Sequence, residues 1–239
     1  MLRVEMMKLN RSLALLLCAT APTFVALLSF LMLVDRDKPG EWARFTTGGA
    51  GMWATFMLPM TVTALTVLVA QIEHGPKGWN FVLAAPVARW RTFLAKAVVV
   101  LGLVGAMSVL LWALMHVAGF LVEQVKGDAH LTGKPAPGGM AELLLRMYAA
   151  GVFLVVLQLW AALRFRSFVP PLVLGIGGTF VAAMAYGSNY GVYFPWLLPV
   201  NAALATEAWR HEMGLNLGLF GGIAALLAML VHMSRYEAP

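Results

Sequence analysis

The sequence predicts an all-α integral membrane protein, a six-helix bundle built as one domain over residues 1–239. Two observations carry that reading. The chain is 61% hydrophobic and only 12% charged, with a mean hydropathy of +0.80, whereas a soluble domain carries about 25% charged residues. The apolar residues also gather into about six runs, each near the roughly 20 residues that one bilayer crossing needs, and little chain is left between them.

Taken in order, residues 1–12 read as an amphipathic interface helix, with Arg3, Lys8 and Arg11 set between Leu2, Val4, Met6, Met7 and Leu9. The spans follow at about 13–34, 50–72, 93–122, 141–163, 168–186 and 215–233. The first is too long for a signal core and has no small-residue cleavage site, so it is expected to be retained. The third exceeds what a bilayer requires and should tilt or project into water. Pro22 and Pro59 lie within spans and should kink them.

Orientation follows from the Lys and Arg residues. With the N-terminus cytoplasmic, Arg3, Lys8, Arg11, Lys77, Arg89, Arg91, Lys96, Arg164, Arg166 and Arg235 fall inside. Arg36, Lys38, Arg44, Lys126, Lys134, Arg146 and Arg210 fall outside, beside eight of the 11 acidic residues. The outer loops are thus near neutral and the inner ones basic, which places both termini in the cytoplasm. The net charge of +6 is spread between apolar runs rather than interleaved with aromatics on one patch. It suits anionic lipid and not nucleic acid.

Three segments do not span. Residues 73–91 form a cytoplasmic loop, apolar and basic by turns. Residues 123–139, with Gly133, Pro135, Pro137, Gly138 and Gly139, read as a flexible outer loop. Residues 190–210 are apolar but broken by Pro195 and Pro199, which suggests an outer re-entrant segment with Tyr190, Tyr193 and Trp196 at headgroup depth. Beyond it, Gly214, Gly218 and Gly222 repeat every fourth residue and define a close-packing face, either within the bundle or toward another subunit.

The chain offers little to catalysis. Its single cysteine, Cys18, allows no internal disulfide and no thiolate metal site. His211-Glu212 begins a zinc-protease pattern that Leu215 breaks, and no Gly-x-x-x-x-Gly-Lys-Ser/Thr phosphate loop occurs. No enzyme activity and no cofactor are expected. His116, Gln158 and His232 sit at membrane depth without a chain of acidic groups, so they read as interhelical hydrogen-bonding residues rather than a proton path.

The informative stretch runs from Glu73 to Val100. An acid at the end of span two is followed by Gly78, the short apolar run 79–85, Pro86, Arg89, and Lys96 opening span three. This order resembles the loop between the second and third spans of type 2 ABC exporter permeases. The YFPWLLP run, residues 193–199, looks most like their lantibiotic-immunity and bacitracin-resistance branch. The resemblance implies a permease in a bacterial-type inner membrane, paired with a second permease of the same or a related chain and with two ATP-binding subunits. An amphipathic cargo such as a peptide antibiotic or a lipid-linked molecule is implied too. It assigns Glu73, Gly78, Trp79, Phe81, Pro86 and Arg89 to a coupling helix that docks on the ATPase. The Pro76-Lys77 pair departs from the pattern at the helix start.

The residues themselves leave two readings of this loop open. Trp79, Phe81, Val82 and Leu83 with a rim of Lys77, Arg89 and Arg91 could dock in a partner's groove, or anchor the loop on the membrane surface. The corresponding alternative for the whole chain is a channel or membrane scaffold that is not coupled to ATP.

Overall fold

The computed structural model describes residues 2–9, 12–74, 88–127 and 131–235. Gly78, Trp79, Phe81 and Pro86 of the expected coupling helix lie outside the described residues. What is described is almost wholly helical: α1 (Leu2–Leu9), α2 (Leu13–Val34), α3 (Trp42–His74), α4 (Arg89–Lys126), α5 (Pro137–Arg164) and α6 (Val169–Ala185). Two short 3₁₀ turns, Tyr190–Tyr193 and Pro195–Leu197, lead into α7 (Leu198–Leu204) and then α8 (Ala208–Arg235). Among the described residues α2, α3, α4, α5 and α8 are long and apolar enough to cross a membrane. Helix α6 matches the expected fifth span but is shorter, at 17 residues. That is the lower end of the roughly 17–25 residues that span a bilayer.

Helix α3 starts at Trp42, eight residues before the expected 50. Arg44, two threonines and two glycines depress hydropathy there, yet Trp42, Phe45, Thr46 and Gly49 are buried at helical spacing on one face. The Trp42 ring lies on Gly119 of α4, and its indole N–H donates to Glu123 Oε1 at 2.9 Å. Tertiary contact, not hydropathy, sets this end. Ahead of Pro59 the helix widens into a π turn over Trp53–Met57. Such a turn absorbs the hydrogen bond that a proline cannot donate. Pro22, in contrast, sits inside one uninterrupted α-helical stretch. The hydroxyls of Thr63 and Thr66 are satisfied by the carbonyls of Pro59 and Val62 one turn back, at 2.8 Å each.

Helix α4 has 38 residues, about 57 Å at 1.5 Å per residue, so it projects well beyond a hydrocarbon core of about 30 Å. It packs most extensively along α2. Near its far end the loop expected to be flexible is tied down in part. Leu131–Thr132 pairs in parallel with Gly40–Glu41, Leu131 is buried, and the Thr132 hydroxyl donates to the Gly40 carbonyl at 2.9 Å. Edge pairing between two distant loops is not visible in a glycine- and proline-rich composition.

The segment 190–204 is also more deeply seated than expected. Every residue from Leu198 to Ala203 is buried. Trp196, expected at headgroup depth, is only 5% exposed, because its indole covers Gly178 of α6. Tyr190 and Tyr193 remain exposed. Arg210 closes this region by donating to Glu207 Oε2 at 2.8 Å, Asn189 Oδ1 at 2.9 Å and the Ser188 carbonyl at 3.2 Å. The hydrogen bond from Arg210 holds the Glu207 carboxyl below the usual carboxylate value.

Candidate functional site

Helix α1 presents an inverted surface. Leu2, Val4, Met6 and Met7 are exposed, while Glu5 and Leu9 are buried. In water this would be unfavourable. At a membrane surface the apolar side faces lipid and the buried carboxylate faces the protein. Glu5 meets there the two ends of the loop expected to carry coupling. Glu73 sits one residue from the end of α3, and Lys96 lies two turns into α4.

The four charges form a closed ring. Lys96 Nζ donates to Glu5 Oε2 at 2.6 Å and to Glu73 Oε1 at 2.7 Å. Lys8 Nζ donates to Glu73 Oε1 at 2.7 Å and to Glu5 Oε1 at 3.0 Å. Each ammonium thus serves both carboxylates, and the sum is neutral. The Lys96 side chain is 1% exposed and that of Glu73 is 3%, so removing either partner leaves the other's charge buried and uncompensated. Burial pulls the Lys8 ammonium toward neutrality, but its hydrogen bonds to Glu73 and Glu5 outweigh this and hold its pKa above the ordinary 10.5. The neighbouring His74 ring is fixed by a 3.0 Å hydrogen bond to the Ala162 carbonyl of α5, and Gln71 reaches the Arg166 carbonyl at 3.4 Å. One polar knot therefore joins α1 to the end of α3 and the start of α4, with α5 alongside.

The ring ties together α1, the end of α3 and the start of α4. Moving any one of the three elements against the others separates these charges. Of the residues assigned to coupling, the structure places Glu73 inside this ring, facing the chain's own lysines, and Arg89 at the first position of α4. Glu5 and Lys8 went unrecognised in the sequence, where residues 1–12 read only as an amphipathic interface helix. A legible signal existed: Lys96 stands within an apolar helix, which demands an acidic partner, and Glu5 and Lys8 fall on one side of a short helix at i, i+3.

The other singled-out residues lie elsewhere. Gly214, Gly218 and Gly222 are contact points inside the bundle. A Cβ at Gly214 would come within 2.8 Å of the Ala202 nitrogen, one at Gly218 would strike the Ala150 backbone, and one at Gly222 would come within 2.7 Å of Val152 Cγ1. Pro199 packs beside Gly151 of α5, and Pro195 opens the turn that carries Trp196. Gln158 donates to the Pro171 carbonyl of α6 at 2.6 Å. The Trp160 indole donates to His232 Nδ1 of α8 at 2.9 Å. His116 is hydrogen-bonded within its own helix to the Trp112 carbonyl at 2.7 Å and stacks on Trp42.

A family model described as ABC-2 family transporter protein matches residues 1–182. The chain belongs to the ABC-2 transporter family. The match runs from α1 through most of α6 and so contains the whole charge ring and the loop beside it. ABC-2 permeases are multi-pass membrane components of ABC transporters and associate with an ABC ATP-binding subunit. The YFPWLLP stretch and α8 fall after the matched residues. Neither a comparison with curated proteins nor one with solved structures finds a match.

Proposed function

We propose that this ABC-2 permease is the membrane half of an ATP-driven exporter of an amphipathic substrate, such as a peptide antibiotic or a lipid-linked molecule. It works as a pair with a second permease of the same or a related chain, and with two ATP-binding subunits. It lies in a bacterial-type inner membrane with both termini in the cytoplasm, where the basic residues concentrate. The loop 73–91 carries the coupling helix, with Gly78, Trp79, Phe81 and Pro86 as its docking surface and Arg89 at its return. The charge ring of Glu5, Lys8, Glu73 and Lys96 passes its movement to the spans. The segment 190–204, with Pro195, Trp196 and Pro199, is a re-entrant element that shapes the outer end of the exit path.

The family match over residues 1–182 is the observation that carries this reading, because it includes the loop in full. It also weighs against a channel or scaffold independent of ATP. The export direction rests on the resemblance of residues 73–100 to type 2 exporter permeases, and the cargo on that family and on the resemblance of the YFPWLLP stretch to its lantibiotic-immunity branch.

The test is co-purification with the ATP-binding protein and measurement of substrate-stimulated ATP hydrolysis. Trp79→Ala removes the largest apolar docking group and should weaken retention of the ATPase about tenfold, a loss of ~1.4 kcal/mol. Arg89→Ala should leave the assembly intact and lower the stimulated hydrolysis. If both variants retain the ATPase and hydrolyse ATP like wild type, the loop is a surface anchor and the coupling assignment fails.

A further inference from the structure

At the end of the bundle opposite the charge ring, a cavity of about 340 Å³ opens between the end of α2 and the first turns of α3. Met32, Leu33, Phe45 and Met52 give it apolar walls. Pro39, Gly40 and Thr132 border it where the two short strands pair. Arg36, Glu41 and Arg44 stand at its mouth.

Gly48 stands on the exposed face of α3, at the open side of this space. It lines the cavity within α3, and a Cβ there would meet nothing within 4 Å. A glycine inside a helix costs roughly 0.5–1 kcal/mol relative to alanine, and the chain's own packing does not demand one at this position. The adjacent Gly49 differs, since its Cβ would run into Met115. The mouth has its own chemistry. Arg44 and Glu41 make one long contact of 3.4 Å, with both side chains largely exposed. Such a pair is worth little and opens readily. Two guanidinium forks match the oxygens of a phosphate, and a carboxylate beside them matches an ammonium. Apolar walls continuing below the charges accept an acyl chain, and the volume falls in the range of roughly 300–1,000 Å³ usual for small-molecule sites.

We propose that this cavity binds one zwitterionic aminophospholipid of the phosphatidylethanolamine type, with its phosphate on Arg36 and Arg44, its ammonium on Glu41, and an acyl chain over Gly48. The site lies at the end of the bundle opposite the charge ring.

The experiment is native mass spectrometry of the purified chain released from nanodiscs holding equal amounts of phosphatidylethanolamine and phosphatidylglycerol. Wild type should retain one phosphatidylethanolamine in preference to phosphatidylglycerol. Gly48→Leu adds an apolar side chain on the cavity side of α3, where its Cβ meets nothing within 4 Å, and should cut that retention about fivefold or more. Arg44→Gln should do the same by removing one phosphate fork, and Glu41→Gln should abolish the preference between the two lipids. Equal retention of both lipids by wild type, or undiminished phosphatidylethanolamine on Gly48→Leu and Arg44→Gln, would overturn the proposal. So would a Gly48→Leu variant that loses an oligomer while keeping its lipid, since a second copy would then be the occupant.

Discussion

At the scale of single residues, the charge ring decides what a substitution does. Breaking a buried ion pair from one side strands a charge and costs about 3–5 kcal/mol, whereas replacing both partners by apolar groups of similar size is often near neutral. Glu73→Leu should therefore lower the thermal midpoint in detergent strongly, and Lys96→Met likewise. The double variant should recover to within about 1 kcal/mol of wild type, because Glu5 and Lys8 still pair at 3.0 Å. A double variant no more stable than the singles would show that the ring is not closed as described. Lys8 adds a pH dependence. Its folded-state pKa is raised above 10.5, so its contribution is complete below that value and is lost as pH rises through the folded pKa. A spin label at Met7, in a Cys18→Ser background, should be immobile at neutral pH and gain mobility in that alkaline range. Lys8→Gln should show a partial gain in mobility already at neutral pH, since Lys96 still holds Glu5 at 2.6 Å, and a label as immobile as in wild type would mean that Lys8 does not hold α1.

At the scale of elements, the glycines separate packing from mere composition. Gly218 of α8 abuts the Ala150 backbone, while Gly102 of α4 has nothing within 4 Å of its missing Cβ. Overpacking a tight site costs about 1–3 kcal/mol, and relieving an unconstrained helical glycine gains roughly 0.5–1 kcal/mol. Gly218→Ala should accordingly destabilise the purified protein and Gly102→Ala should not. Equal midpoints for the two would remove Gly218 from the α5–α8 contact. The four-residue repeat made this face legible in the sequence, because spacing on a helix fixes which residues share a side. The long apolar helices were legible for the same reason, since hydropathy reports burial in lipid directly. What stayed hidden depends on contacts between distant residues. The start of α3 at Trp42 needs Gly119 and Glu123, the pairing of Gly40 with Leu131 needs two loops brought together, and Trp196 is buried only because Gly178 leaves room for it. The charge ring is the same case, as Glu5 and Lys96 meet across most of the N-terminal half of the chain.

At the scale of the whole molecule, the helices sort the chain into two ends with opposite character. One end gathers the charge ring, the contact of His74 with Ala162 and the turn at Arg166. The other gathers the paired loops at Gly40 and Leu131 and the Arg210 knot. The proposed coupling to an ATPase puts the first end in the cytoplasm, and the excess of Lys and Arg there favours the same orientation. Cysteines placed one at a time at Arg166 and at Thr132, both exposed, in a Cys18→Ser background should therefore respond differently to an impermeant thiol reagent applied to intact cells. Position 132 should label, and position 166 should label only after the membrane is permeabilised. The structure fixes these two sites at opposite ends whichever way the bundle is inserted, so the assay reads orientation alone. Labelling of 166 but not 132 would invert the bundle, put the charge ring outside, and leave the ATP-binding subunit no route to the loop it is proposed to grip.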